Sequence, residues 1–274
     1  MDLNTAIELA QLVMEAYATP PGPPSRAVRA GENSYTIVAT IYASDLATDM
    51  NPGRCNDVVS IGLILQEAGA GGVAIAIRGT VGILEWIHDA EFLLVKCPFL
   101  EEAGCTEDGF TAMYRSLRIG NAPDAPSVVA GLATLPFPRP ISSVTVCGHS
   151  LGGALATLLA LDLAANSAFK SPTVYTYASP RTGDPTFAGA YDRAVPDSVR
   201  IANRLDLVPK LPFPPFYEHV QTVSELNPVV LFPWPPKILV KPEIACEHSL
   251  ETYLYLMSLG SGGPVIPLDA ACAP

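Results

Sequence analysis

Charge is scarce in this sequence. Asp, Glu, Lys and Arg make up 16% of its 274 residues, against about 25% in a typical globular domain. The basic sign is the scarcer, 16 residues against 27 acidic, which leaves a formal charge of −11. With no basic cluster to offset that balance, the term that dominates affinity for phosphate backbones is missing, so no nucleic-acid partner is expected. The cysteines at 55, 97, 105, 147, 246 and 272 form no C-x-x-C, and no H-E-x-x-H is present, so neither a metal site nor a cofactor is predicted. Met1 to Tyr17 carries Asp2 and Glu8 where a basic n-region would stand and is not read as a secretory signal. No fixed-period repeat and no polar linker divides the chain, so one domain over residues 1–274 is the simplest organisation. That length lies near the ~250–300 residues at which single cores stop growing.

What is abundant is apolar: 49% of residues are hydrophobic and the mean hydropathy is +0.29. Disorder is excluded. The surplus fits either a generous core or an exposed apolar surface that meets lipid. Pro140 to Leu161 contains no Asp, Glu, Lys or Arg, a length that matches a membrane span. Gly148, Gly152 and Gly153 interrupt it, and the β-branched Val144-Thr145-Val146 precedes the helix-forming Leu155 to Leu161. A buried strand and helix are expected there, and no transmembrane segment.

Leu3, Ile7, Ala10, Val13 and Tyr17 recur at helical spacing and predict an amphipathic helix. Strand signals lie at Tyr35 to Ala43, Val58 to Leu65, Val73 to Ile77, Ser143 to Cys147, Thr173 to Tyr177 and Val199 to Ala202. Helical patterns lie at Gly109 to Arg118, Leu151 to Ala165, Thr186 to Ala194 and Glu247 to Leu259. Gly69 to Gly72 marks a hairpin turn. The order predicts an α/β fold with a central, mostly parallel mixed sheet, antiparallel at its start and flanked by helices. From Val208 to Pro242 closely spaced prolines exclude a helix or central strand and predict an excursion along one sheet edge, with Phe213, Phe216, Tyr217, Phe232 and Trp234 as an apolar wall. Cys97 and Cys105 could close a short loop, and Cys147 reads as a core thiol.

Gly148-His149-Ser150-Leu151-Gly152 fits G-x-S-x-G between a β-branched strand and a long apolar helix. That context calls for a sharp turn that exposes the Ser150 hydroxyl, with the Leu151 N–H at the helix start ready for an oxyanion. A serine hydroxyl needs a histidine to take its proton and an acid to orient the histidine. His149 points away from its neighbour and His88 lies far upstream. The order Ser, acid, His leaves His219 and His248, of which His248 is preferred and His219 read as structural. Among Asp162, Asp184, Asp192, Asp206 and Glu225, Asp206 is chosen because it follows Val199 to Ala202 at the carboxyl edge of the sheet. The end of Val73 to Ile77, at Arg78-Gly79-Thr80, could supply a second oxyanion donor. In the segment that follows, Ile83, Leu84, Trp86 and Ile87 are too apolar for an idle exposed helix, which fits a buried helix or a lid.

Taken together, Ala76 to Thr80, Trp86 to Asp89, Asp108-Gly109-Phe110, Gly148 to Ala156, Ser179 to Asp184, Arg200 to Pro209 and the His248 region resemble the class 3 lipase family, typified by filamentous-fungal triacylglycerol lipases. The resemblance implies an α/β-hydrolase with the triad Ser150, Asp206 and His248, oxyanion donors at Thr80 and Leu151, and a lid at residues 82–89 whose Trp86 meets the acyl chain. It implies hydrolysis of glycerolipid esters at an oil–water interface. The alternatives are an esterase for soluble or aromatic esters, including feruloyl esters, a phospholipase A1, and a lipase-like binding protein without catalysis.

Overall fold

The computed structural model describes residues 1–18, 26–44, 58–80, 92–122, 124–230 and 235–274. The N-terminal pattern folds as helix α1 (Leu3–Ala18), which buries Ile7, Ala10 and Val13 together with Ala6, Leu9 and Leu12. Strands β1 (Ala27–Ala30), β2 (Asn33–Ser44), β3 (Val58–Glu67) and β4 (Val73–Ile77) pair antiparallel in sequence order. The β3–β4 hairpin closes at the expected glycines, with Glu67 N–H donating to Gly72 O at 2.8 Å. A small hairpin of β5 (Leu94–Lys96) and β6 (Cys105–Glu107) follows, then α2 (Asp108–Ser116), β7 (Arg118–Ile119), which pairs with β2, and the short α3 (Val128–Gly131).

The rest of the sheet is a strand–helix alternation. β8 (Val144–His149), α4 (Leu151–Asn166), β9 (Thr173–Tyr177), α5 (Pro185–Ala194), β10 (Ser198–Asn203) and β11 (Val223–Leu226) come in that order. β12 (Val229–Val230) pairs with β13 (Lys237–Ile238), and α6 (Ile244–His248) and α7 (Leu250–Ser258) complete the described elements. The main sheet runs β1-β2-β3-β4-β8-β9-β10-β11, and every neighbouring pair from β4 onward is parallel. The mixed sheet expected from the sequence is therefore the observed one.

Alternation along β4 explains how helices cover both faces. Val73, Ile75 and Ile77 enter the layer shared with α4, whereas the small side chains of Ala74 and Ala76 face the layer that holds α1 and α7. The charge-free run is the buried β8–α4 unit, and α4 is covered nearly all round. Among the described residues no helix is long and apolar enough to cross a membrane.

Several expectations need correction. Tyr217-Glu218-His219-Val220 reads in the sequence like a strand start, but the strand begins only at Val223, in the proline-free stretch before Pro228, and it joins the sheet as an edge strand beside β10. The last helical pattern is two helices, not one. Ser249 is extended and its Oγ accepts from Thr252 N–H at 3.2 Å, so it caps α7 and leaves His248 as the last residue of α6. The Gly109 to Arg118 helix ends at Ser116. Cys97 and Cys105 are free thiols. Cys105 pairs with Lys96, so the alternation of the strand turns the Cys97 side chain to the opposite face. The disulfide joins Cys246 of α6 to Cys272, a pair that no local spacing suggested. Cys147 is buried, and burial pushes its thiol up.

Leu158 is fully buried in α4. Leu158→Ala should lower the unfolding free energy by about 2–5 kcal/mol in urea titrations, because the closed sheet–helix layer cannot collapse onto the void.

Candidate active site

Ser150 lies between β8 and α4 with φ +58° and ψ −127°, a region that residues with a side chain rarely occupy. The turn is held by close backbone approach. A Cβ at Gly148 would lie 2.1 Å from Gly152 O, and one at Gly152 would lie 2.3 Å from Ile77 O at the end of β4. The Ser150 N–H donates to Tyr177 O at 2.9 Å, and Ser150 O accepts from Gly153 N–H at 2.9 Å. The strand therefore passes into the helix within one residue, with Leu151 as the first residue of α4.

Three expected residues, separated by long stretches of chain, meet here. The His248 ring stands between the other two, with Nε2 at 2.8 Å from Ser150 Oγ and Nδ1 at 2.8 Å from Asp206 Oδ2. Asp206 is completely buried, and neither of its oxygens is wasted: Oδ2 also accepts from Tyr253 Oη at 2.8 Å, and Oδ1 accepts from Val208 N–H at 3.0 Å. These bonds require a carboxylate acceptor, so the His248 Nδ1 carries a proton and its Nε2 faces the serine hydroxyl. Tyr253 in turn accepts from Asn203 N–H at 2.9 Å, while Asn203 Nδ2 donates to Glu247 O at 2.8 Å. Burial and the Asp206 charge hold the Tyr253 hydroxyl well above its usual pKa, so it remains a donor.

The other candidates have different partners. Asp184 caps α5 by accepting from Phe187 N–H, Asp162 accepts from Tyr114 Oη, and Asp192 accepts from Gln221 N–H. Glu225 lies on the edge strand β11. His219 donates from Nε2 to Pro209 O at 2.5 Å, and burial, assisted by Arg200 and Arg181, lowers its pKa to about 3. His149 turns away from Ser150, to Tyr17 and to His248 O. Thr80 follows Gly79, whose backbone abuts the Ser150 turn: a Cβ at Gly79 would lie 2.9 Å from Ser150 Cβ. Ile83, Leu84, Trp86, Ile87 and His88 lie outside the described residues, as does the whole segment 82–89. Among the described residues no group of His, Cys, Asp and Glu could hold a metal.

Sequence reasoning missed Tyr253 and Asn203 as supports of Asp206. Asn203 ends β10 three residues before the acid, which is a local signal. Tyr253 is visible only as one apolar position of a helix.

A mixed sheet that is parallel from β4 onward and flanked by helices, a strained serine between strand and helix, and the chain order Ser, Asp, His define an α/β-hydrolase fold. Residues 74–216, just over half of the chain, match the model of the family Lipase (class 3), and the chain belongs to the class 3 lipase family. It is 34% identical over 155 residues to phospholipase A1-II 1 of Oryza sativa subsp. indica, a match covering 51% of this chain and 39% of that protein. It is 35% identical over 140 residues to the secreted mono- and diacylglycerol lipase A of Penicillium cyclopium, covering 51% and 43%. The fold aligns with the nonglycosylated lipase of Yarrowia lipolytica at a TM-score of 0.60 and 21% identity, over 89% of this chain and 82% of that one. The chain thus spans about two fifths of the length of the two curated relatives.

Two outcomes follow from the surroundings of the site. Tyr253→Phe leaves Asn203 N–H and one Asp206 lone pair without their partner and should cost about 1–3 kcal/mol in urea unfolding. Folding lowers the His219 pKa from its ordinary 6.5 to about 3, so between those values the unfolded chain binds more protons. Its contribution to stability is complete above about pH 6.5 and is lost as pH falls toward 3. His219→Gln should accordingly flatten the fall of the urea midpoint over that window.

Proposed function

We propose that the chain hydrolyses carboxylic esters of glycerolipids through an acyl-enzyme, with Ser150 as nucleophile, His248 as base and then acid, and Asp206 as the group that orients the imidazole. The observation that carries this reading is the hydrogen-bonded series from Ser150 Oγ through His248 to Asp206 at a strained strand–helix turn. Ser150 Oγ attacks the ester carbonyl while His248 Nε2 takes its proton, and the carbonyl oxygen becomes an oxyanion. Collapse of the tetrahedral adduct expels the alcohol, which receives the proton from His248. Water then enters, deprotonated by the same nitrogen, and releases the fatty acid. Leu151 N–H, at the positive end of the α4 dipole, and Thr80, beyond the Gly79 contact, are the oxyanion donors in this reading.

An apolar substrate is favoured by the exposed apolar side chains in the segment that follows the acid. The chain leaving Asp206 exposes Phe213 and Phe216, 66% and 72% accessible, and Leu93 is 55% accessible. Tyr217 Oη joins these two segments by donating to Phe92 O and Leu93 O. Exposed large apolar side chains on two joined segments suit a lipid better than a small polar ester. Within that class, the rice relative favours a phospholipase A1 reading as the second choice. The apolar sequence of 82–89 supports a lid that covers the site in water, as part of a single-domain enzyme.

The test is the rate of tributyrin hydrolysis across its solubility limit, beside dioleoylphosphatidylcholine vesicles and Ser150→Ala. A steep rise on droplet formation, and a loss of at least about 10⁴-fold in the folded serine variant, are the expected results. Faster release from the phospholipid than from the triglyceride selects the phospholipase reading, and activity retained by Ser150→Ala removes the nucleophile assignment. Trp86→Ala should slow long-chain esters more than short ones; equal losses would remove the lid.

A further inference from the structure

One polar chain in the site has no part in the reaction as described. Tyr17, at the end of α1, accepts at Oη from Gly79 N–H at 2.8 Å, and the same Oη lies 2.8 Å from His149 Nδ1. The other nitrogen of that ring, His149 Nε2, lies 2.9 Å from the backbone oxygen of His248. A peptide N–H can only donate and a carbonyl can only accept, so both ends of the series are fixed. Every proton between them is then fixed too: Gly79 N–H to Tyr17 Oη, Tyr17 Oη–H to His149 Nδ1, and His149 Nε2–H to His248 O.

The series requires a neutral His149 in one tautomer and a protonated Tyr17, and the surroundings maintain both. Burial, with the nearby His248, holds the imidazole of His149 well below its usual pKa. Burial also pushes the Tyr17 phenol up to about 12. His149 is 4% exposed, and its ring centroid lies 4.9 Å from that of His248.

The backbone is shaped to admit this chain. At Gly79 a Cβ would stand 2.8 Å from both Tyr17 Oη and His149 O, too close for a side chain to fit beside the hydroxyl. At the other end, the break between α6 and α7 at Ser249 leaves the His248 carbonyl to accept from a side chain. The imidazole of His248 is consequently located from two sides, its ring by Asp206 and its peptide by His149. Adjacent residues of one turn divide the task, since Ser150 meets the His248 ring while His149 holds the His248 backbone.

We propose that Tyr17 and His149 are positioning residues that hold the Gly79–Thr80 segment and the His248 peptide in register with Ser150. The proposal rests on the serine-hydrolase reading above and adds to it a link between the oxyanion side and the base. Neither residue touches the reacting atoms. Their removal displaces groups that do, and misplacements of about 1 Å in such groups cost on the order of 10²-fold in rate.

The experiment compares wild type, Tyr17→Phe, His149→Leu, His149→Gln and the Tyr17→Phe/His149→Leu double variant. Active sites are counted with a fluorophosphonate, and kcat and KM on p-nitrophenyl butyrate are expressed per labelled site. Tyr17→Phe and His149→Leu should each lower kcat by roughly 10- to 100-fold with KM within about twofold. His149→Gln, which keeps a donor for His248 O, should recover part of the loss. The double variant should be no worse than the poorer single, as for residues acting through one chain. Binding of a phenylboronic acid, whose tetrahedral serine adduct needs the oxyanion donors, should weaken in step with kcat. Wild-type kcat per labelled site in Tyr17→Phe, with only a lowered urea midpoint, would overturn the positioning role, and this near-isosteric variant decides the matter if His149→Leu does not fold. A wild type that neither labels nor turns over would overturn the serine-hydrolase reading and the positioning role with it. Active wild type beside equally active variants overturns the positioning role alone.

Discussion

The whole site depends on the backbone of Ser150, held at a positive φ where β8 becomes α4. A residue in such a conformation costs of order 1–3 kcal/mol and persists only if its surroundings leave no alternative. Here they leave none. The start of α4 lies against the ends of β4 and β8 so closely that Gly148 and Gly152 have no room for a side chain. Both flanking elements are buried where they meet the turn, so the strain cannot relax without opening the centre of the sheet. The low charge content of the chain has a direct physical use, since a sheet covered on both faces needs mostly uncharged strands and a central helix with little charge.

Within that apolar frame, buried polar groups are tolerable only when each is paired. Among the described residues no buried side-chain nitrogen or oxygen is left without a hydrogen-bond partner. Asp206 illustrates the economy of the arrangement: three donors from α6, α7 and its own loop converge on one completely buried carboxylate. In a region of low effective dielectric each such bond is stronger than in water, and each missing one is more costly. The geometry of the Ser150–His248–Asp206 series and the stability of the core are thus maintained by the same contacts.

Legibility in the sequence followed the range of the interactions. The strands and helices of the alternating half could be read from periodicity, because a face buried against one layer repeats with the period of the element. Ser150 could be read from five consecutive residues, because the turn is a local steric problem. His248 and Asp206 needed the topology as well, since chain order left both His219 and His248, and the choice between them rested on the elements expected around each and not on any property of the imidazoles. The break at Ser249 escaped detection because Glu247 to Leu259 keeps a helical pattern across it, and only the cap to Thr252 reveals two helices. The late start of β11 escaped for a related reason: an edge strand is recruited by an available neighbour, here β10, more than by its own composition.

Tyr17 and Tyr253 mark the boundary most sharply. Each sits at an apolar position of an amphipathic helix, where its ring satisfies the pattern and its hydroxyl is invisible to it. The sequence by itself determined the alternation of strand and helix, the buried character of the charge-free run, and the serine at the turn, all of which follow from near-neighbour sterics and periodic burial. Tertiary structure alone decided the partners: Tyr17 with Gly79 and His149, Tyr253 with Asp206, and Cys246 with Cys272. These contacts join residues far apart in the chain, and their directions depend on how helices from both ends of the sequence settle on one sheet.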